Sequence, residues 1–262
     1  MEKSIKCILS VVACFAVLGP SLSVHAGDAI FPLAKSMAGD RPLPLPWGIG
    51  VTLHQQDQNY ALGRLDIDIP IDLALAQDVE VENTVGEANL KFDLWLLPFL
   101  NVFGLLGRIE GETTVDVTPL ISDLTVEYEG VVYGAGITCA AGVGRYFGSL
   151  TATYTDTSLD ASDSSVDAWV VTPRIGLTAH ARGGHPVVFW IGAMYQSADE
   201  AHQGRLTVPV FGEVNYDVLL EEEEPWNTLV GLSTALSDHM SIELEGGFGD
   251  RTQLTASLGW RF

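Results

Sequence analysis

The last nine residues, "LTASLGWRF", alternate strictly: Leu254, Ala256, Leu258, Trp260 and Phe262 are apolar, and Thr255, Ser257, Gly259 and Arg261 between them are polar or small. A period of two describes a strand with one apolar and one polar face. The pattern recurs. Met240 to Phe248 sets Met240, Ile242, Leu244 and Phe248 against Ser241, Glu243, Glu245 and Gly247, and Asp167 to His180 sets Trp169, Val171, Ile175 and Leu177 against Thr172, Arg174, Gly176 and Thr178. Val131 to Ala140, Tyr146 to Thr155 and Val187 to Tyr195 alternate in the same way. Segments of about ten alternating residues with turn residues between them are the signature of a transmembrane β-barrel.

The spacing of the turns separates that fold from a soluble β-sandwich. Leu97–Phe99, Gly142–Arg145, Ala181–His185 and Ser237–His239 are tight, whereas the alternate connections include the long stretches Pro70–Gly86, Thr118–Thr125, Thr155–Val166 and Ser197–Glu224. Only Gly249-Asp250 is short on that second side. A barrel with one rim facing the periplasm and one facing outward requires this parity, and a sandwich has no reason to keep it. The pattern predicts an all-β, antiparallel, up-and-down barrel of ten strands: 47–68, 87–97, 100–116, 124–141, 145–156, 167–180, 186–196, 226–236, 240–249 and 252–262. Leu206 to Leu220 would raise the number to twelve as a further hairpin across Gly212-Glu213. Pro209 and Asp217 suit a lipid-embedded pair poorly, so the expected place for that segment is above the membrane.

The N-terminus gives a compartment. Lys3 and Lys6 precede the apolar run Cys7 to Leu18, and Val24-His25-Ala26 offers a small-residue cleavage site, which together read as a signal peptide over residues 1–26. Residues 27–46, including the proline-rich "RPLPLPW" that runs into Trp47, read as a periplasmic lead-in, and 47–262 as the barrel. Cys139 is the single cysteine after the leader, so no intramolecular disulfide holds the exported chain. Beyond the leader, 11 Lys+Arg face 33 Asp+Glu once Lys3, Lys6 and Glu2 are removed from 13 and 34. That balance excludes nucleic acid as an expected partner, because its affinity comes from cationic side chains on phosphates. The longest apolar stretch, Leu94 to Gly107, is broken by Pro98 and followed by Arg108 and Glu110. With no span for a helix, the apolar content must line a core or a barrel's exterior.

Taken together, the leader, the alternating strands, the turn parity and the terminal aromatic resemble a bacterial outer-membrane β-barrel protein of small, porin-like type. The resemblance covers about Trp47 to Phe262 and matches no single subfamily. It implies a Gram-negative outer membrane as location, membrane lipid and lipopolysaccharide as surroundings, and barrel-assembly machinery as a partner during insertion. That machinery would read the ending carried by Leu258, Trp260 and Phe262. Oligomeric state is left open.

Candidate functional residues lie on the polar faces. Lys91, Asp93, Arg108, Glu110, Arg174, Glu243, Glu245 and Arg261 are expected to point into a lumen too narrow to leave them unpartnered. They form either a network that fills the barrel or a thin polar pathway in which Glu243 and Glu245 favour cations. Trp95 and Trp190 fall inward in the same register, as lumen packing or as a sign of a slip in register. Trp226, Trp169 and Tyr154 near the outer strand ends, and Trp260, Phe262 and Tyr146 near the inner ends, suit interfacial girdles. Glu221, Glu222, Glu223 and Glu224 form an acidic run that reads as a solvated face or as a loop bridging divalent cations to lipopolysaccharide phosphates. No ordered metal-loop spacing is present and no cofactor is expected. His202 near Asp199 is the one outward acid–imidazole pairing, and nothing supplies a nucleophile elbow, so the expectation is a channel or structural membrane protein rather than an enzyme. The alternatives are a surface-binding or adhesion role and, after it, a membrane-embedded hydrolase that would use His202 and Asp199.

Overall fold

The computed structural model describes residues 30–39, 43, 45–67, 80–116, 124–160, 165–180, 185–208, 212–222 and 224–262. The expected signal peptide, 1–26, lies outside them. The strands are β1 (Trp47–Ile67), β2 (Glu80–Leu97), β3 (Leu100–Asp116), β4 (Leu124–Val143), β5 (Tyr146–Leu159), β6 (Ser165–His180), β7 (Pro186–Val208), β8 (Gly212–Glu222), β9 (Trp226–Ala235), β10 (Met240–Phe248) and β11 (Arg251–Arg261). From β1 to β7 each strand pairs antiparallel with the next; β7 then pairs with β9, β9 with β10 and β10 with β11. The terminal strand β11 returns to β1, from Gly48↔Arg261 to Gln58↔Arg251. Ten strands therefore close into an up-and-down barrel with no free edge in the ring.

The eleventh strand, β8, sits above this ring. It pairs with the far half of β7, from Glu200↔Leu220 to Val208↔Gly212, and with the far half of β1, from Tyr60↔Glu222 to Ile67↔Tyr216. The strands β9, β10 and β11 have ended at that level: the last β7–β9 pair is Tyr195↔Trp226, and the last β11–β1 pair is Gln58↔Arg251. One strand bridges β7 and β1 where three did below. Beyond Tyr60 and Glu200 the described ladder continues only among β7, β8 and β1, as a three-stranded extension standing above the ten-strand ring. The segment expected above the membrane is this extension, but it does not turn across Gly212-Glu213, which are strand residues paired with Val208 and Thr207; its partners are backbone groups of β7 and β1 that would otherwise be unpaired.

Other boundaries differ from the sequence reading in the same direction. The run 80–86, read as connection, is strand, because Glu80 to Gly86 pair with Asp116 to Glu110 on β3. Beyond the membrane neither face of a strand meets lipid, so the apolar alternation fades while the hydrogen-bond ladder continues. At about 3.3 Å per residue and a tilt near 40°, the 21 residues of β1 rise about 50 Å, roughly twice a ~25 Å apolar belt.

The tight turns share one end with both barrel termini. There Gly144 takes φ 61 between β4 and β5, a conformation that side chains rarely adopt, and Ser237 Oγ accepts the Met240 N–H at 3.1 Å between β9 and β10. The lead-in docks at this end: Trp95 N–H donates to Pro46 O at 2.9 Å, Leu33 N–H to Leu96 O at 2.9 Å, and Phe31 packs edge-on against Trp47 at 6.0 Å.

Outward positions form the apolar belt. Ile175, Leu254 and Ile191 are 64%, 61% and 58% exposed, and Phe92, Leu106, Ile137, Leu150, Phe189 and Leu232 are exposed beside them. An exposed apolar surface running round the whole wall suits a lipid solvent. Aromatic pairs mark its far edge, Tyr154–Trp169 and Tyr195–Trp226 both at 5.2 Å, and Trp260 stacks on His239 at 5.7 Å at the near edge. Beyond the far edge the exterior turns acidic, with like charges directly opposite on neighbouring strands: Glu110↔Glu129, Glu112↔Glu127 and Asp156↔Asp167.

Candidate functional site

Strand register fixes which side chains enter the lumen. Trp95, Asp93, Lys91 and Asn89 of β2 face inward, opposite Asn101, Phe103, Leu105 and Gly107 of β3. Continuing round the wall, Thr138 of β4, Ser149 and Thr151 of β5, Arg174 of β6, Trp190 of β7, Ser233 of β9, Glu243 and Glu245 of β10, and Arg261 of β11 lie on the same face. The polar half of each alternating segment is the lumen half.

Two hydrogen-bonded ion pairs hold this interior. Glu245, 5% exposed, accepts from Arg174 Nε at 2.6 Å and Nη2 at 2.7 Å, a bidentate pairing, and from Trp190 Nε1 at 2.6 Å. Asp93 accepts from Arg261 Nη2 at 2.6 Å and Asn101 Nδ2 at 2.7 Å. Arg261 also donates Nη1 to Leu45 O at 3.1 Å and lies over the Trp95 ring at 5.8 Å, which ties the lead-in to the lumen mouth. Room for the Trp190 indole comes from the strand beside it: a Cβ on Gly231, directly opposite Trp190, would overlap the ring.

Toward the far end the lumen is filled. Gln56 and Gln58, Asn83 with Tyr128, and Asn227 with Gln253 form hydrogen-bonded groups there, while Tyr60, Val81, Val132, Leu159 and Leu229 are buried apolar neighbours. Arg251, 1% exposed, donates Nη2 to Pro225 O at 2.8 Å directly below the point where β8 takes over from β9 to β11. Between these layers His54 Nδ1 lies 2.8 Å from Thr255 Oγ1.

The near half is different. It holds a cavity of about 360 Å³ lined by Lys91, Trp95, Asn101, Thr138, Phe147, Ser149, Thr151, Arg174, Val188, Trp190, Ser233, Glu243 and Arg261. Arg174 and Arg261 are neutralised by Glu245 and Asp93. Among the described residues neither Lys91 Nζ nor the Glu243 carboxylate joins a hydrogen bond or ion pair; Lys91 lies over the Phe103 ring at 4.4 Å. Trp95 Nε1 is buried and also makes no hydrogen bond there.

Of the residues expected in the lumen, Lys91, Asp93, Arg174, Glu243, Glu245 and Arg261 are brought together on its wall. Arg108 and Glu110 are not: both lie exposed on the exterior. On β3 the inward set is odd-numbered, Asn101 to Thr113, with Gly107 and Gly111 packed under Asn89 and Tyr128. The charged even positions begin where the apolar belt ends above Leu106, so they meet headgroups and water rather than the lumen. The acidic run is also not a single loop. Glu221 and Glu222 belong to β8, Glu224 is exposed after it, and Glu223 lies outside the described residues, as do the side chains of Asp199 and His202. Leu258, Trp260 and Phe262 lie on the outward face of the closing strand. The sequence reading missed Asn101 and His54 as lumen residues and did not foresee that Trp190 would fix Glu245. The signal for the last was a bulky aromatic facing a glycine in a neighbouring strand, which becomes visible only once β9 is known to follow β7 in the ring.

A closed antiparallel ring, an apolar belt with aromatic edges and a polar interior define a transmembrane β-barrel. No family model matches the sequence, and no curated protein matches it. Among solved structures it is similar to the outer membrane protein OprG from Pseudomonas aeruginosa, at 12% identity over 84% of this chain and 98% of that one, with a TM-score of 0.44. It is also similar to the outer membrane protease OmpT from Escherichia coli, at 10% identity over 84% and 97% with a TM-score of 0.42. The beta domain of the Bordetella autotransporter BrkA matches at 14% identity over 84% and 100%, with a TM-score of 0.40. At these scores the likenesses decide nothing about what the chain does.

Proposed function

We propose that this chain is a narrow channel of a bacterial outer membrane, with its tight turns in the periplasm and its β7–β8–β1 extension outside. The observation that carries the reading is the cavity of about 360 Å³ beside Lys91 and Glu243, which join no hydrogen bond or ion pair among the described residues. A barrel serving only as a wall has no use for such space, since ten strands can be filled by side chains as smaller barrels are. The packed far half is then the constriction. Six charged side chains face the near half, Lys91, Arg174 and Arg261 against Asp93, Glu243 and Glu245. They balance, so the expected ion preference is weak.

Single-channel recording in a planar bilayer under a salt gradient tests this. Small, steady steps with little ion preference are expected, Glu243→Gln shifting the reversal potential toward anions and Lys91→Met toward cations. Silence from a barrel shown to be folded by heat-modifiable migration on a gel would overturn the reading. Glu245 is expected to matter less for selectivity, because Arg174 and Trp190 already occupy its carboxylate.

A further inference from the structure

The near half of the lumen has a charge arrangement that a simple water-filled pathway does not need. Two of its three cations are locked to two of its three carboxylates at 2.6 Å. The remaining pair, Lys91 and Glu243, stand on β2 and β10 with β1 and β11 between them, three strand spacings or about 14 Å along the wall. At that level the intervening strands carry only small inward groups: Gly50 opposite Lys91 and Gly259, and Thr52 hydrogen-bonded to Ser257 at 2.9 Å. The two do not close on one another in an ion pair: Lys91 feels the charges of Asp93 and Glu243, and Glu243 those of Arg174 and Lys91, without contact. Trp95 lines the same cavity as Lys91, with its Nε1 buried behind that wall. An acceptor is called for on the Lys91 side and a cation on the Glu243 side.

We propose that this cavity binds a small zwitterion of the amino-acid or dipeptide type, its carboxylate on Lys91 Nζ and its ammonium on Glu243. The proposal rests on the reading of the lumen as a solute pathway and names the class of solute. A wall with three cations and three carboxylates gives no net attraction to a simple anion or cation, and a dipolar solute is the one whose two ends both gain. A volume of about 360 Å³ lies in the range of small-molecule pockets and admits a dipeptide.

The test is isothermal titration of the full-length barrel in detergent micelles with glycylglycine, acetate and methylammonium in turn. Glycylglycine is expected to bind at least ten times more tightly than either singly charged probe, and Lys91→Met or Glu243→Gln to weaken it at least tenfold. The charge-swapped double variant, Lys91→Glu with Glu243→Lys, keeps the wall neutral and is expected to retain binding with the solute reversed. It serves where a single variant does not fold. Equal affinity for acetate or methylammonium, or glycylglycine binding unchanged by the single variants or absent from a folded barrel, would overturn the proposal. Binding without conductance would keep the site and remove the channel reading. Conductance without binding would do the reverse.

Discussion

Removing the Glu245 carboxylate is the perturbation whose cost the structure defines most clearly. The group is 5% exposed and accepts three hydrogen bonds, two of them from one guanidinium. Glu245→Ala leaves the Arg174 guanidinium without its counter-ion and the Trp190 N–H without its acceptor. Breaking one side of a buried pair costs about 3–5 kcal/mol. The Arg174 side chain is 21% exposed and borders the cavity, so solvent recovers part of that and about 2–4 kcal/mol is expected. Replacing both charges, Arg174→Met with Glu245→Leu, removes the uncompensated ion and should cost only the orphaned indole donor, about 1–2 kcal/mol. Urea unfolding from lipid vesicles, followed by tryptophan emission, measures each variant and the coupling between them. If the double variant loses the sum of the two single losses, or Glu245→Ala loses under about 0.5 kcal/mol, the network does not hold the interior as described.

Other expectations follow from single contacts. Gly231→Ala should displace the Trp190 indole from Glu245 and cost about 2 kcal/mol in the same unfolding assay, with a shift in emission that Gly148→Ala, whose Cβ would meet only Arg174 O at an ordinary 3.8 Å, should not produce. Arg251→Ala should loosen the junction under β8 and raise proteolytic cleavage near residues 223–225 while the ten-strand belt stays heat-resistant on a gel. Glu129→Lys, opposite Glu110, turns a repulsive cross-strand pair into an attractive one and should stabilise the barrel by about 0.5 kcal/mol, a gain that fades in high salt.

How much of this was legible in the sequence depended on which solvent each residue meets. Between the aromatic girdles one face meets lipid, so alternation is enforced, and the terminal strand, Met240 to Phe248 and Asp167 to His180 read correctly to within a residue or two. Past the girdles both faces are wet or packed. There Glu80 to Gly86 and Ser197 to Val208 read as connection although they are strand. Arg108 and Glu110 show the same limit in the site: a charged residue alternating with apolar ones was assigned inward, which holds inside the belt and fails beyond it. The three-stranded extension above the ring has no signature in any one segment. It follows from β8 pairing with two strands far apart in the chain, β1 and β7. The unpaired state of Lys91 and Glu243 was equally hidden, since it depends on Asp93 and Glu245 having taken the two arginines first.

The central claim is that the lumen conducts through its near-half cavity and is limited by the packed layer toward its far end. The most direct measurement is the single-channel conductance of the whole protein beside a variant that thins this layer, Gln56→Ser with Gln253→Ser, both shown to be folded. The account predicts small steps for the whole protein and larger steps from the variant. Equal conductance in the two, or large open-pore steps from the whole protein, would contradict it.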